Sequence, residues 1–148
     1  MKHTLLYWFL SATIVLAADW PMWRGDAMRS ATTAQRLPAQ LKTAWTLRLP
    51  ALEPAWQEAV NQDRMPYDVC YEPIVVGTRL FVSSSRNDSV TAYSTRTGEQ
   101  LWRTYLDAPV RLPPVASGDR LFVVCDDGQL HVLSQTEGKR LGTVRGGT

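Results

Sequence analysis

The sequence predicts an all-β protein built as an incomplete β-propeller, with about two four-stranded blades and an N-terminal closing strand. Three observations predict it: a repeat of about 40 to 41 residues, a glycine-containing turn at the same place in each copy, and short apolar runs between the turns. The 148-residue chain is 45% hydrophobic and has a formal net charge of +2, which is ordinary for a globular protein. It has no basic run with interleaved aromatic residues, so the sequence gives no reason to expect a nucleic-acid partner.

Residues 1–18 are predicted to be a secretory signal peptide. A basic start precedes an apolar run over residues 4–16, which is short for a membrane span, and small residues follow it. We expect cleavage after Ala17 or Ala18, with no membrane span left in the mature chain. The predicted location is therefore periplasmic or extracellular, where disulfides are permitted.

Residues 19–40 are predicted to form a clasp segment that lies on the propeller. Trp20 and Trp23 are its expected anchors, since a buried tryptophan removes a large apolar area from water. The segment also contains Arg24-Gly25-Asp26, a tripeptide associated with cell adhesion. Adhesion has little weight as a function because so short a motif often arises by chance.

The next two segments precede the repeats. Residues 41–50 are predicted to be the closing strand, because they resemble the fourth strand of the first repeat and Trp45 aligns with Trp102. Residues 51–70 match neither repeat and are predicted to be a linker or insertion, with a helical turn near residues 54–60.

The two repeats predict blade 1 over residues 71–106 and blade 2 over residues 107–148. Glycines such as Gly98 give the predicted turns their positive φ angle. The predicted strands cover residues 73–76, 79–84, 89–94 and 99–105 in blade 1, and residues 114–117, 120–125, 129–134 and 139–145 in blade 2. Two blades cannot close a ring, so we interpret the chain as the N-terminal part of a longer propeller. A two-blade unit that oligomerises is the alternative.

The stretch AYSTRTGEQLW, which ends at Trp102, resembles the A-x-D-x-x-T-G-x-x-x-W repeat of pyrroloquinoline quinone (PQQ)-like β-propellers. Ala92, Thr97, Gly98 and Trp102 match that pattern, and DWPMWRGD is similar to the opening segment of secreted bacterial members of the family. In the family the tryptophan docks on the neighbouring blade. The second repeat has Gly142 at the corresponding position and departs from the family pattern there.

The resemblance implies a fold but no single function. PQQ-like propellers include scaffolds as well as dehydrogenases that hold the quinone near adjacent cysteines and calcium. Cys70 and Cys125 are far apart in the sequence, so PQQ and calcium are implied by the resemblance alone and no residue is assigned to them. We expect a secreted or periplasmic binding or scaffold module in a longer protein. The alternative is the N-terminal part of a PQQ-dependent dehydrogenase whose catalytic residues lie beyond residue 148.

Glu72 and Arg111 are the candidate binding residues, because each lies just before the first strand of a blade and would face the central channel. Solvated charges at the rim of the propeller are the alternative interpretation. The expected ligand is a protein or a small molecule at the propeller face.

Other polar residues are assigned to structure rather than to chemistry. Asn87, Asp88, Asp126 and Asp127 offer oxygen ligands for calcium, but such residues are also favoured in hairpin turns. His131 is predicted to be a packed or exposed strand residue rather than a ligand or base. No serine lies in a G-x-S-x-G elbow. We therefore predict no catalytic and no metal-binding residue.

Overall fold

The computed structural model describes residues 18–53 and 70–147. Most of the predicted signal peptide and the helical turn predicted near residues 54–60 lie outside the described residues. The described part contains two four-stranded antiparallel sheets with their strands in chain order. Their strands are β1 (Ile74–Val76), β2 (Arg79–Ser84), β3 (Ser89–Ser94), β4 (Gln100–Tyr105), β5 (Val115–Ser117), β6 (Arg120–Val124), β7 (Gln129–Ser134) and β8 (Arg140–Arg145).

The sheets confirm the predicted all-β fold, an incomplete propeller with two four-stranded blades. Blade 1 consists of β1 to β4 and blade 2 of β5 to β8. Each strand begins and ends within one residue of its predicted position. Tight turns with positive φ at Gly77 and Gly118 join the first two strands of each blade, as the repeated glycine indicates.

The two blades pack face to face and share one apolar core. Blade 1 contributes its row of cross-strand partners, in which Phe81 lies between Ile74 and Ala92. Blade 2 contributes side chains from the face of its sheet that packs against blade 1. The loop that connects the blades adds two more. The core side chains from these parts are Ala116, Leu121, Val123, Leu133, Leu106 and Val110. Burial of this apolar area is the main force that holds the blades together.

Trp102 of β4 joins blade 1 to a turn of blade 2. Its ring covers Gly138, where an added Cβ would overlap with the indole. The indole N–H donates to the carbonyl of Gln135 at 3.1 Å, and the Thr104 hydroxyl donates to the carbonyl of Gly138 at 2.7 Å. Gly138 has a φ of 69°, so glycine suits this position for both its backbone angle and its lack of a side chain.

Trp45 makes the same contact with blade 1, but the segment around it is not a strand. Its indole N–H donates to the carbonyl of Thr95 at 2.8 Å, and a Cβ on Gly98 would lie 2.8 Å from the ring. Residues 41–50 have no strand assignment, so the expected closing strand is docked by its tryptophan without being paired in a sheet. A strand needs a hydrogen-bonded neighbour, and neither described sheet pairs with this segment.

The clasp segment (residues 19–40) joins the first strands of both blades. Trp20 forms a two-way backbone bridge with Val75 of β1, with N···O distances of 2.7 and 3.0 Å. One residue later, the carbonyl of Pro21 accepts a hydrogen bond from the amide of Ala116 in β5 at 2.8 Å. The N-terminal segment therefore contacts the first strands of both blades and spans their junction.

The expectation that Trp23 is buried is wrong. Its side chain is 41% exposed, whereas Trp20 is half-buried and packs against Gly25. The chain reverses at Arg24 and Gly25, both with positive φ, and Trp23 lies outside the core that the two sheets share. The Trp23 ring instead stacks with guanidinium groups. Its centroid lies 4.9 Å from the guanidinium carbon of Arg29.

Candidate functional site

The structure places both predicted binding residues in one small cleft. Glu72, just before β1, and Arg111, before β5, line this cleft together with Tyr71 and Ser83. Arg111 is held by Asp126, with its Nε 2.6 Å from a carboxylate oxygen. Glu72 is half-buried. The channel-facing assignment of this pair stays a prediction, but the fold brings the two charges to the same place.

A larger cavity of about 420 Å³ adjoins the cleft, and Glu72 lines both. Trp23 and Arg29 of the clasp segment form another part of its lining. The apolar wall comes from the face of blade 2 that points away from blade 1. Its side chains are Val115, Phe122, Val124 and Leu130. A cavity of this size with an apolar wall and a few charged groups is typical of ligand pockets.

The register of blade 2 explains why these apolar residues share one face. Val115 is paired with Phe122, and Val124 is paired with Leu130. Side chains two residues apart on a strand point to the same side, so Phe122 and Val124 stand together. Val124 is 52% exposed, because no described segment covers that part of the sheet face.

The clasp segment supplies Arg29 to the lining of the cavity. Asp26 accepts hydrogen bonds from both the amide and the hydroxyl of Ser30, and these bonds hold the pKa of its carboxyl below the usual value. The resulting compact loop places Arg24 and Arg29 beside the Trp23 ring. Both charged side chains of the Arg24-Gly25-Asp26 tripeptide are therefore engaged within the clasp segment itself.

A second group of reactive side chains lies in the hairpin between β6 and β7. A carboxylate oxygen of Asp127 is 3.0 Å from Nε2 of His131, and Cys125 is close enough for all three to share an ion. His131 is fully buried and its Nδ1 has no hydrogen-bond partner. Burial raises the pKa of the Cys125 thiol. Partial burial works against ionisation of Asp127, but hydrogen bonds from Gln129 and His131 keep the pKa of its carboxyl lowered.

The remaining turn residues have structural contacts. The side-chain oxygen of Asn87 accepts a hydrogen bond from the Ser89 hydroxyl at 2.8 Å, and Asp88 has a φ of 51° in its hairpin turn. Asp126 is the partner of Arg111. These contacts match the turn interpretation of the sequence. Cys70 is exposed and Cys125 is buried, and both are free thiols.

The described residues do not fit a PQQ and calcium centre. Cys70 and Cys125 form no disulfide that could lie against a quinone. Among the described residues, one group of three or more His, Cys, Asp and Glu side chains could hold a metal ion, and it contains a thiol and an imidazole. Calcium prefers oxygen ligands, so this group does not suit it.

Sequence reasoning missed three parts of this region. The sequence predicts a buried Trp23, singles out no apolar wall on blade 2, and does not link Cys125 to His131. The third could have been found from the hairpin register. Cys125 lies opposite Gln129, and His131 is two residues further along the same face.

Comparison with known proteins places the chain in a family. The profile described as outer membrane protein assembly factor BamB matches residues 42–147, which is more than half of the chain. A search of curated proteins finds no match. No helix in the described residues is long and apolar enough to cross a membrane.

Solved structures are similar to parts of this chain. The quinohemoprotein alcohol dehydrogenase from Comamonas testosteroni has 23% identity and a TM-score of 0.57, and the match covers 86% of this chain and 19% of that one. BamB from Moraxella catarrhalis has 23% identity and a TM-score of 0.45, and the match covers 47% of this chain and 21% of that one. The chain thus corresponds to about a fifth of these proteins. By its sequence profile and its two four-stranded blades, the chain belongs to the PQQ-like β-propeller family described by outer membrane protein assembly factor BamB.

Proposed function

We propose that this chain is a binding and scaffold module of a longer propeller protein in the periplasm. The family description, an outer membrane assembly factor, supports a scaffold in the cell envelope. A hydrophobic start followed by small residues supports export. The observation that carries the proposal is the cavity beside Glu72, which combines an apolar wall with an exposed tryptophan and charges of both signs.

The chemistry of the cavity favours a protein partner. Tryptophan and arginine are among the residue types that contribute most binding energy in protein interfaces. Trp23 and Arg29 lie side by side, with the guanidinium carbon 4.9 Å from the ring centroid. The apolar wall suits an aliphatic or aromatic side chain. Glu72 and Arg29 would then contact polar groups at the edge of the interface.

Site-specific cross-linking tests the proposal in the full-length protein within its native host. A photoreactive amino acid at position 29 should give cross-links to one or more envelope proteins, because this side chain lines the cavity. The matched control places the same group at position 136, an exposed turn outside the cavity lining. Trp23→Ala should remove the cross-links from position 29. Equal cross-linking from positions 29 and 136 would contradict the proposal.

The alternative function, a PQQ-dependent dehydrogenase, is distinguished by a separate assay. PQQ and calcium are added to the purified full-length protein, and oxidation of alcohols or sugars is followed with an electron-accepting dye. The scaffold proposal predicts no turnover above that of PQQ and calcium alone. Dye reduction that depends on the protein, the quinone and the substrate together would overturn it.

A further inference from the structure

The hairpin between β6 and β7 brings together a thiol, a carboxylate and an imidazole. One ligand atom from each of Cys125, Asp127 and His131 lies within 4.8 Å of the other two. Tetrahedral zinc requires ligand atoms about 3.3 to 3.7 Å apart, given its bond lengths of about 2.0 to 2.3 Å. An adjustment of up to about 1.5 Å therefore suffices to close the three ligands around one ion.

The contacts around this group leave room for a further ligand. The His131 ring is fully buried; its Nε2 lies 3.0 Å from a carboxylate oxygen of Asp127, and its Nδ1 has no hydrogen-bond partner. Buried polar atoms in native proteins are almost always paired, so the unpaired Nδ1 leaves this ring short of one partner. The Cys125 thiol donates a hydrogen bond, 3.0 Å long, to the carbonyl oxygen of Ala108 in the loop that connects the blades.

The same positions of blade 1 have none of this chemistry. Ser84, Asn87 and Thr91 occupy the places of Cys125, Asp127 and His131 in the repeat. In blade 1 these groups bond to the protein: Arg103 donates to the Thr91 hydroxyl at 2.9 Å, and the Arg86 amide donates to the Ser84 hydroxyl at 3.2 Å. The propeller hairpin therefore folds without a thiol or an imidazole. The three ligand types in blade 2 are a property of that blade and not a requirement of the turn.

We propose that Cys125, Asp127 and His131 form a zinc site between the two blades. The mixed set of sulfur, nitrogen and oxygen suits zinc better than magnesium or calcium, which prefer oxygen alone. Zinc binds the thiolate, so the Cys125 proton is released to solvent when the ion enters. The fourth position is taken by a water molecule or by the Ala108 carbonyl. With the Ala108 carbonyl as the fourth ligand, the ion also fixes the connecting loop to the β6–β7 hairpin.

Metal analysis of the full-length protein tests this inference. The protein is purified without a histidine tag, stripped with a chelator, mixed with zinc, and passed through gel filtration. We expect the parent protein to retain one zinc ion per chain and Cys125→Ser to lose it. The melting temperature of the parent protein should rise with zinc and fall again with chelator. Cys70→Ser is the matched control, because that thiol is exposed and outside the group. It should keep the ion.

Two further variants and a second metal separate ligation from a folding defect. Asp127→Asn and His131→Gln keep the size of each side chain, and each should weaken zinc binding by at least about tenfold. Cobalt(II) in place of zinc should show thiolate charge-transfer absorption that Cys125→Ser removes and Cys70→Ser retains. Unchanged zinc content in Cys125→Ser, or cobalt binding without that absorption, would overturn the site.

Discussion

Blades 1 and 2 share their strand order and turns, but they differ in how they are covered. In β3 of blade 1, five consecutive residues are buried, and the next residue is half-buried. In the equivalent β7 of blade 2, buried and half-buried residues alternate after Gln129. A strand with neighbours on both faces is buried continuously, and a strand with one covered face alternates. The difference in burial between β3 and β7 therefore reflects what packs against each sheet, because the strand order within the two sheets is the same.

One position shows this difference most directly. In the row of paired residues across blade 1, Ala92 lies opposite Trp102, which covers Gly138 of the next blade. The same row in blade 2 pairs Val132 with Gly142, and a Cβ at Gly142 would meet no atom within 4 Å. Blade 2 thus receives a tryptophan from its neighbour and presents none. Its outward face remains available as the wall of the cavity.

The largest expected effect comes from removal of the tryptophan that joins the blades. Trp102→Ala should lower the free energy of unfolding by about 3 to 4 kcal/mol, since it removes the ring that packs on Gly138 and Phe81. Urea unfolding followed by circular dichroism measures the change. Trp102→Phe, which keeps an aromatic ring, should lose less than half as much. A loss below about 1 kcal/mol in the alanine variant would show that the blades do not depend on this contact.

A glycine pair separates backbone strain from close contact. Gly138→Ala should cost about 3 kcal/mol, because the new methyl group overlaps with Trp102 at a positive φ. Gly118→Ala has a similar φ of 59° but open space around it, so it should cost about 1 to 2 kcal/mol. Both values come from the same unfolding experiment. Equal losses would mean that the tryptophan ring moves away at no cost.

The clasp segment predicts a smaller difference between its two tryptophans. Trp20→Ala should cost about 2 kcal/mol, because the half-buried ring packs beside the bridge to Val75. Trp23→Ala should cost about 1 kcal/mol or less, since the ring is 41% exposed and loses only its stacking with the arginines. Melting temperatures of the two variants show which substitution destabilises the protein more. A larger loss in Trp23→Ala would contradict the role assigned to the exposed ring.

The smallest effect is expected where blade 2 is made to resemble blade 1. Gly142→Trp should change stability by less than about 1 kcal/mol in this chain, because nothing described lies beside the new ring. Calorimetric unfolding of the variant and the parent chain measures the change. A gain well above that value would reveal a surface that already accepts the ring, and such a gain would require a neighbour for blade 2.

Much of the fold could be predicted because its determinants are local. Positive-φ glycines such as Gly98 mark the turns, and apolar runs between them mark the strands. The closing segment was only partly predictable. Trp45 aligns with Trp102 and makes the same type of contact, but whether residues 41–50 pair as a strand depends on a neighbouring strand that the local sequence cannot specify.

The sites were less predictable because they depend on the third dimension. Glu72 and Arg111 could be singled out by their places in the repeat, and the structure sets them in one cleft. The exposed Trp23 stands next to a reversal at Arg24, a non-glycine residue with a φ of 59°, and no residue pattern predicts that angle. Cys125 and His131 meet only once the strand register is known.

The bridge from Trp20 to Val75 and the hydrogen bond from Ala116 to Pro21 have a consequence for the order of folding. Each blade is a series of hairpins, and hairpins close within microseconds of their strands being available. The clasp segment is made early, yet its partners belong to two strands that are made much later. It can lock only after both blades have begun to form. The clasp segment thus settles after the two described blades have begun to form, and its locking requires β5 of the second blade.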